Sequence, residues 1–179
     1  MIKIHAGCGK RDFGAGWFNV DLADFPHVHH KDINKLPFPD DSVDLIYSAH
    51  TIEYFDRQEV IPLLIEWKRV LKPGGIMRLA VPNFLVLAQL YITGKYPLKN
   101  IIGPMYGRMD VGGTFVYHKT VYDCADLMEL LSCIGMKKLR RYDWRETEHA
   151  EFDDHSQAYL QHMDKVNGVC LSLNVECEK

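Results

Sequence analysis

The chain has 179 residues, a net charge of −3 and an isoelectric point near 6.3, a balance that gives no electrostatic footprint for nucleic acid. Hydrophobic residues make up 47% and charged residues 25%, as in a globular protein, and the length fits a single domain over residues 1–179. The sequence has no apolar run near the roughly 18 residues of a membrane span. Five cysteines without a Cys-x-x-Cys pair indicate a reducing compartment. We therefore expect a cytoplasmic protein without nucleic-acid or membrane partners.

The first part of the chain predicts three short strands. Residues 2–6 are β-prone and run into a Gly-Cys-Gly motif at 7–9, and a second β-prone run over 17–22 contains Asp21. Residues 43–48 are largely apolar, as a buried parallel strand is. Only 11 residues separate the motif from Asp21, fewer than a crossover with a helix usually needs. The first helix is therefore predicted to be reduced to a turn.

A periodic helix follows the third strand. Asp56 and Glu59 have the spacing of a capping box, and Pro62 suits the first helical turn. A Lys-Pro-Gly-Gly turn at 72–75 ends the helix before a further strand over 76–81. The apolar residues at helical spacing are Val60, Leu64, Trp67 and Leu71.

The remaining chain predicts a long insert and then more sheet. Residues 83–119 form a probable substrate-side insert, because long ordered connections are often functional. It is predicted to be helical over 84–92 and broken by glycine and proline beyond. The breaking residues are Gly94, Pro97, Gly103, Pro104, Gly107, Gly112 and Gly113. A helix over 122–134 and strands over 136–144 and 169–175 follow. This alternation predicts a largely parallel α/β sheet.

Two features after the first strands suit a nucleotide-like ligand. Gly7 and Gly9 let the backbone approach a ligand closely and adopt angles closed to other residues. Asp21, at the end of the second strand, is placed to accept both hydroxyls of a ribose. A plain turn at the glycines and a capping or turn role for Asp21 are the alternatives.

The order of these motifs resembles that of class I S-adenosylmethionine-dependent methyltransferases. The motifs are Gly7-Cys8-Gly9, Asp21, Asp32 ahead of Leu36-Pro37-Phe38, residues 42–48 and residues 69–75. The resemblance implies a Rossmann-like α/β fold: seven strands, mostly parallel with the last antiparallel, and helices on both faces. It also implies S-adenosyl-L-methionine as cofactor and a small-molecule acceptor methylated on oxygen or nitrogen. A homodimer is left open.

The resemblance also implies roles for individual residues. Asp21 would bind the ribose hydroxyls with Leu22 against the adenine, and Asp32 would bind the adenine amino group with Ile33 beside it. His5 stands where many members have an acidic residue. The implied cofactor-contacting residues are His5, Gly7, Cys8, Gly9, Asp21, Leu22, Asp32, Ile33, Ser48, Ala49 and His50.

The candidates for acceptor chemistry lie just after the strand over 43–48, which corresponds to the fourth strand of the family's sheet, and at the end of the insert. His50 and Glu53 lie just beyond residues 43–48, and His118 ends the insert. An imidazole titrates near neutrality and suits a base or an orienting group, although a histidine bonded to backbone beside the site is the alternative. His149 and His155 with nearby carboxylates match no recognised metal spacing, so we predict no metal and a solvated acidic loop.

Two other functions compete with methyl transfer. A catalytically inactive binding or scaffold protein with this fold is suggested by His5 and by the shortened first crossover. A nicotinamide dehydrogenase is disfavoured, because Lys10, Arg11 and Asp12 follow Gly9 and the G-x-G-x-x-G fingerprint is incomplete.

Overall fold

The computed structural model describes residues 1–111, 113–162 and 164–179, so Gly112 of the insert lies outside the described residues. The strands are β1 Lys3–Ala6, β2 Trp17–Val20, β3 Val43–Ala49, β4 Leu71–Pro82, β5 Arg108–Val111, β6 Thr114–Tyr117, β7 Lys137–Arg141, β8 Tyr159–Leu160, β9 Val169–Cys170 and β10 Ser172–Glu178. The α-helices are α1 Val60–Val70, α2 Phe84–Ile92, α3 Leu98–Tyr106 and α4 Cys124–Cys133.

Within the described residues six strands form the main sheet, in the order β2-β1-β3-β4-β10-β7. The β1–β2, β1–β3 and β3–β4 pairs are parallel, and β10 is antiparallel to both β4 and β7. The prediction of a mostly parallel sheet with an antiparallel last strand is confirmed. The predicted seventh strand is reduced to a single parallel bridge between Val20 and His30, because the polar segment 27–31 offers no apolar face to bury.

One face of the sheet carries α1 and α4. Their buried side chains, Trp67 and Leu127 among them, pack on Ile4 and Ile46 of the sheet. The predicted capping box before α1 is present: the Asp56 N–H donates to Glu59 Oε2 at 2.9 Å, and the Glu59 N–H donates to Asp56 Oδ1 at 2.8 Å.

The opposite face is packed by loop residues, although the sequence predicts helices on both faces. Across residues 7–16, all of them described, the chain makes turns rather than a helix, as predicted. Phe13 stacks on Phe152 with ring centroids 4.6 Å apart, and His149 and Asp154 are buried. The prediction of a solvated acidic loop is therefore wrong for His149 and Asp154, because the aromatic side chains of the loops anchor that segment on the sheet, whereas Glu151, Asp153 and His155 are exposed as predicted.

The insert holds more regular structure than the sequence predicts. α2 has its predicted bounds, but α3 and the β5–β6 hairpin follow where glycine and proline were expected to break the chain. Pro97 precedes the first residue of α3 and Gly107 ends the helix with φ of 38°, positions that suit these residues. Ile101 of α3 packs against Leu87 and Leu90 of α2. None of the helices in the described part of the chain is long and apolar enough to cross a membrane.

Candidate active site

The sheet has a topological switch point at β1. The chain passes from β1 to β2 on one side and later to β3 on the other, so the connections leave in opposite directions. In open α/β sheets ligands bind outside the carboxyl ends of the strands at such a point. Here that edge carries the loop 7–9 after β1 and the segment 50–53 after β3.

The Asp21 carboxylate meets the glycine loop directly. The Gly9 N–H donates to Asp21 Oδ2 at 2.7 Å, and the Ala23 N–H donates to Oδ1 at 2.8 Å. The loop is also held on β2, because the Gly7 N–H donates to the Val20 carbonyl at 2.8 Å. A carboxylate has about four lone-pair sites, so these two bonds leave acceptor capacity for ribose hydroxyls.

The two glycines of this loop have different surroundings. Gly7 has φ of 72° and Gly9 of 55°, both in the region that favours glycine. A β-carbon on Gly9 would meet nothing within 4 Å, whereas one on Gly7 would overlap the Thr51 side chain. The loop is therefore open towards a ligand at Gly9 and closed by Thr51 at Gly7. Burial raises the pKa of the Cys8 thiol between them to about 12, and the Asp21 charge adds to this.

The residues expected near the adenine border the same edge. Leu22 is 69% exposed. Asp32 is exposed and accepts a hydrogen bond from the Asn34 N–H at 2.9 Å. Ile33 packs on the core, and its carbonyl accepts from Trp67 Nε1 at 3.0 Å. Leu22 offers an apolar surface and Asp32 a carboxylate, which suits one side of an adenine ring.

His5 faces away from this edge, into the aromatic cluster of the opposite face. Its ring stacks on Phe13 with centroids 4.2 Å apart, and its Nδ1 has no hydrogen-bond partner among the described residues. Burial, with the neighbouring His149 as a smaller cause, lowers the pKa of His5 to about 3. The structure thus places His5 in the aromatic cluster, and its cofactor contact stays a prediction.

The end of β3 brings Ser48, Ala49 and His50 to the switch point. Ser48 is buried, and its Oγ has no partner among the residues described. His50 has φ of 50°, an uncommon conformation for a residue with a side chain, and such positions cluster at functional sites. Its N–H donates to the Ala80 carbonyl at 2.8 Å, which fixes this bend beside β4.

Glu53 lies between two histidines. Its Oε1 is 3.8 Å from His50 Nδ1 and 3.7 Å from His118 Nε2. The Glu53 side chain is 1% exposed, and neither carboxyl oxygen has a hydrogen-bond partner within the described part of the chain. The three acceptor-side candidates, from two distant parts of the sequence, are therefore brought together.

Burial sets the protonation of this cluster. It raises the pKa of Glu53 to about 8 and lowers the pKa values of His50 and His118 below their usual range. Near neutral pH the cluster is a protonated carboxyl between two neutral imidazoles. Searched over the described residues, the chain has no group of three or more His, Cys, Asp or Glu side chains arranged to hold a metal ion.

Sequence reasoning missed two supports of this cluster. The His155 ring lies 5.0 Å from the His50 ring, and Ser172 Oγ lies 3.4 Å from His50 Nε2. Phe152, an aromatic residue within the acidic segment, was the available signal that the chain around His155 is anchored. Ser172 has no local signal, since it is 122 positions from His50.

The sequence is similar to those of known methyltransferases. Residues 13–79 match a family described as methyltransferase domain. A probable S-adenosylmethionine-dependent methyltransferase from Mycolicibacterium smegmatis is 25% identical over 154 residues, which are 75% of this chain and 51% of that protein. The chain thus spans about half the length of that curated relative.

Solved structures show the same fold. A SAM-dependent methyltransferase from Archaeoglobus fulgidus is similar with a TM-score of 0.62 and 17% identity, over 99% of this chain and 85% of that one. A second structure is the 1,6-didemethyltoxoflavin-N1-methyltransferase of Burkholderia thailandensis, solved with 1,6-didemethyltoxoflavin and S-adenosylhomocysteine. It is similar with a TM-score of 0.57 and 12% identity, over 99% of this chain and 70% of that one.

Proposed function

We propose that this chain is a class I S-adenosylmethionine-dependent methyltransferase, as its similarity to such proteins supports, and that it transfers a methyl group from S-adenosyl-L-methionine to an oxygen or nitrogen of a small molecule. The observation that carries the proposal is the hydrogen bond from Gly9 to the Asp21 carboxylate at the switch point. It joins a glycine loop that is open at Gly9 to a carboxylate with spare acceptor capacity, where this class of sheet binds ligands.

The cofactor, when bound, supplies a methyl group on a sulfonium, which is left as a neutral thioether. In the proposed site Asp21 holds the ribose hydroxyls, and the loop backbone lies along the ligand. The acceptor gains the methyl group and loses a proton if it carries one. Glu53 and His50, just beyond β3, would orient the acceptor, and this proton would pass to the neutral imidazole of His50 or to Glu53 once that carboxyl is ionised.

A second candidate function is a methyltransferase-fold binding or scaffold protein without turnover. Thr51 lies against Gly7 and narrows the crevice on the methionine side of the loop. Calorimetric titration with S-adenosylmethionine and S-adenosylhomocysteine separates the two. An enzyme binds both compounds, whereas a scaffold with a closed crevice binds neither.

Asp21→Ala provides the residue-level test. We expect the variant to bind S-adenosylhomocysteine more weakly by about 1–3 kcal/mol, the scale of hydrogen bonds to a charged group, as measured by calorimetry. The matched control is Asp24→Ala, because the Asp24 side chain is 87% exposed and the change removes the same charge. Unchanged affinity in a folded Asp21→Ala protein would show that Asp21 is not the ribose anchor.

The finer features are proposed with the same function. Residues 83–119 would lie on the substrate side of one domain, and the net charge of −3 favours a small molecule over nucleic acid as acceptor. A cytoplasmic location and a homodimer remain predictions. Product analysis over a panel of acceptors tests the nature of the acceptor, and the mass of the protein in solution tests the homodimer.

A further inference from the structure

We propose that Glu53, His50 and His118 form a binding site for an amine and that the methyl acceptor is a small organic amine. The proposal rests on the proposed function for the fate of the bound amine. The binding of an amine, by contrast, is inferred from the hydrogen-bond donors and acceptors of the three side chains.

The tautomer of His118 follows from its contacts. Its Nδ1 lies 3.1 Å from the Met105 carbonyl oxygen, which can only accept, so Nδ1 carries the hydrogen and donates it. The neutral ring then presents a lone pair at Nε2. This Nε2 atom lies 3.7 Å from Glu53 Oε1.

The tautomer of His50 follows from a chain of hydrogen bonds. The Asn174 Nδ2 donates to the Ser156 carbonyl at 3.0 Å, so its Oδ1 accepts the Ser172 hydroxyl at 2.9 Å. Because the hydroxyl hydrogen of Ser172 is donated to Asn174 in this hydrogen bond, Ser172 Oγ accepts from His50 Nε2 at 3.4 Å. The lone pair of His50 is therefore at Nδ1, which faces Glu53 Oε1 at 3.8 Å.

Two imidazole lone pairs thus converge on one carboxyl group. Both distances are longer than a direct hydrogen bond. A single proton on Glu53 could be donated to only one of the two imidazole lone pairs. Cations near it in sequence are engaged elsewhere: Arg57 binds Asp126 at 2.7 Å, and Lys119 binds Glu59 at 2.6 Å. Buried polar groups are nearly always hydrogen-bonded, and orphaned ones call for a missing partner.

An amine is the partner that completes this site. A protonated amine brings several N–H donors and a positive charge, whereas a hydroxyl brings one donor and further lone pairs. The positive charge favours the ionised form of Glu53, which releases its proton to solvent as the amine binds. The ammonium then transfers a proton to the Glu53 carboxylate, which leaves the nitrogen with the lone pair that methylation requires.

Three further buried polar groups extend the polar surface at this edge. Ser48 Oγ, Asn83 Oδ1 and the Tyr122 hydroxyl are buried without partners in the described residues. Ser48 is near the end of β3, and Asn83 directly follows β4 and bridges to Tyr122. The carboxyl ends of adjacent parallel strands thus both present unsatisfied polar groups, as a site for the polar body of a substrate does.

The test compares amines with alcohols on the wild-type protein. A panel of linear and aromatic primary amines, each paired with the alcohol of the same carbon skeleton, is titrated by NMR with and without S-adenosylhomocysteine. We expect at least one amine to bind about 10- to 100-fold more tightly than its alcohol. Equal binding within every pair, or no amine binding at all, would overturn the proposal.

Glu53→Gln then assigns the binding to this carboxyl. The amide supplies its own N–H donors to the imidazoles, so the fold should be kept and amine affinity should fall about tenfold or more. Glu129→Gln, at an exposed position of α4, is the matched control and should bind like wild type. Amine binding unaltered by Glu53→Gln would contradict the assignment.

Failure of the broader proposal has a different signature. If wild type and both variants fail to bind S-adenosylhomocysteine in calorimetry, methyl transfer is rejected, while amine binding without cofactor still decides the present proposal. If S-adenosylhomocysteine binds equally to all three proteins, the loss of amine affinity in Glu53→Gln belongs to the acceptor side alone.

Discussion

The buried carboxyl of Glu53 makes stability depend on pH. Its pKa is about 8 in the folded protein against 4.5 for an ordinary glutamate. Between these values the folded chain holds a proton that the unfolded chain has released, so the free energy of unfolding falls as pH rises. We expect Glu53→Gln to gain stability relative to wild type between pH 5 and 8, by up to about 1.4 kcal/mol per pH unit. Urea unfolding at several pH values measures this difference.

Other groups around Glu53 titrate in both proteins. His50 faces it from the same loop, His118 from the end of the hairpin, Tyr54 from the adjacent position and Tyr122 from the segment before α4. The two histidines have lowered pKa values, so they make stability rise with pH towards 6.5, the opposite sign. The difference between wild type and variant isolates the carboxyl. A difference that stays constant from pH 5 to 8 would show that Glu53 titrates normally.

At the scale of one element, a reciprocal cap forms the turn that leads into α1. Asp56 Oδ1 accepts the N–H groups of Gln58 and Glu59, each at 2.8 Å. Removing such a cap costs about 0.5–2 kcal/mol. We therefore expect Asp56→Ala to lower the free energy of unfolding by that amount in urea titrations.

The control for the cap is Gln58→Ala in the same turn. Gln58 is exposed, and alanine has the higher helix propensity, so this change should leave stability nearly unaltered. Equal effects of the two substitutions would mean that the bonds at Asp56 contribute no net stability.

Elements with a strong local signal were predictable from the sequence. α1 has a cap and a 3.6-residue period, and β3 is largely apolar, so both fell near their predicted bounds. The predicted Lys-Pro-Gly-Gly turn at 72–75 does not end the helix, because α1 ends at Val70 and these residues lie within β4. α3 was not predictable, because Pro97 and Gly107 look like breakers until the burial of Ile101 shows that they delimit a helix.

The candidate site divides in the same way. The meeting of the Gly7–Gly9 loop with Asp21 was predictable because strand ends carry recognisable local chemistry, and their binding of a cofactor stays a prediction. The contact of Glu53 with His118 was not predictable, since these residues meet only after the insert has folded over the carboxyl edge. The tautomer of His50 depends on Ser172 and Asn174 of the last strand, whose distance in sequence hides any signal.

At the scale of the whole molecule, one aromatic cluster does the packing that helices do on the other face. Phe13 stacks on His5, His149 and Phe152 with centroid distances of 4.2, 5.6 and 4.6 Å. The cluster joins the loop after β1 to the segment before β8. Arg11 reinforces this join, because its Nε donates to the Asp153 carbonyl at 2.8 Å.

This dependence predicts a large effect of Phe13→Ala. Truncation of a buried phenylalanine costs about 3–5 kcal/mol. Phe115 is 46% exposed and lies under the Arg108 guanidinium, so Phe115→Ala should cost about 1 kcal/mol or less. Urea unfolding measures both changes. Because the same loop carries Gly9 and so the bond to Asp21, Phe13→Ala should also weaken S-adenosylhomocysteine binding in calorimetry, at temperatures where the variant is folded. If Phe13→Ala behaves like Phe115→Ala in both measurements, the loops on this face do not substitute for a helical layer, and the cofactor loop is held by β2 alone.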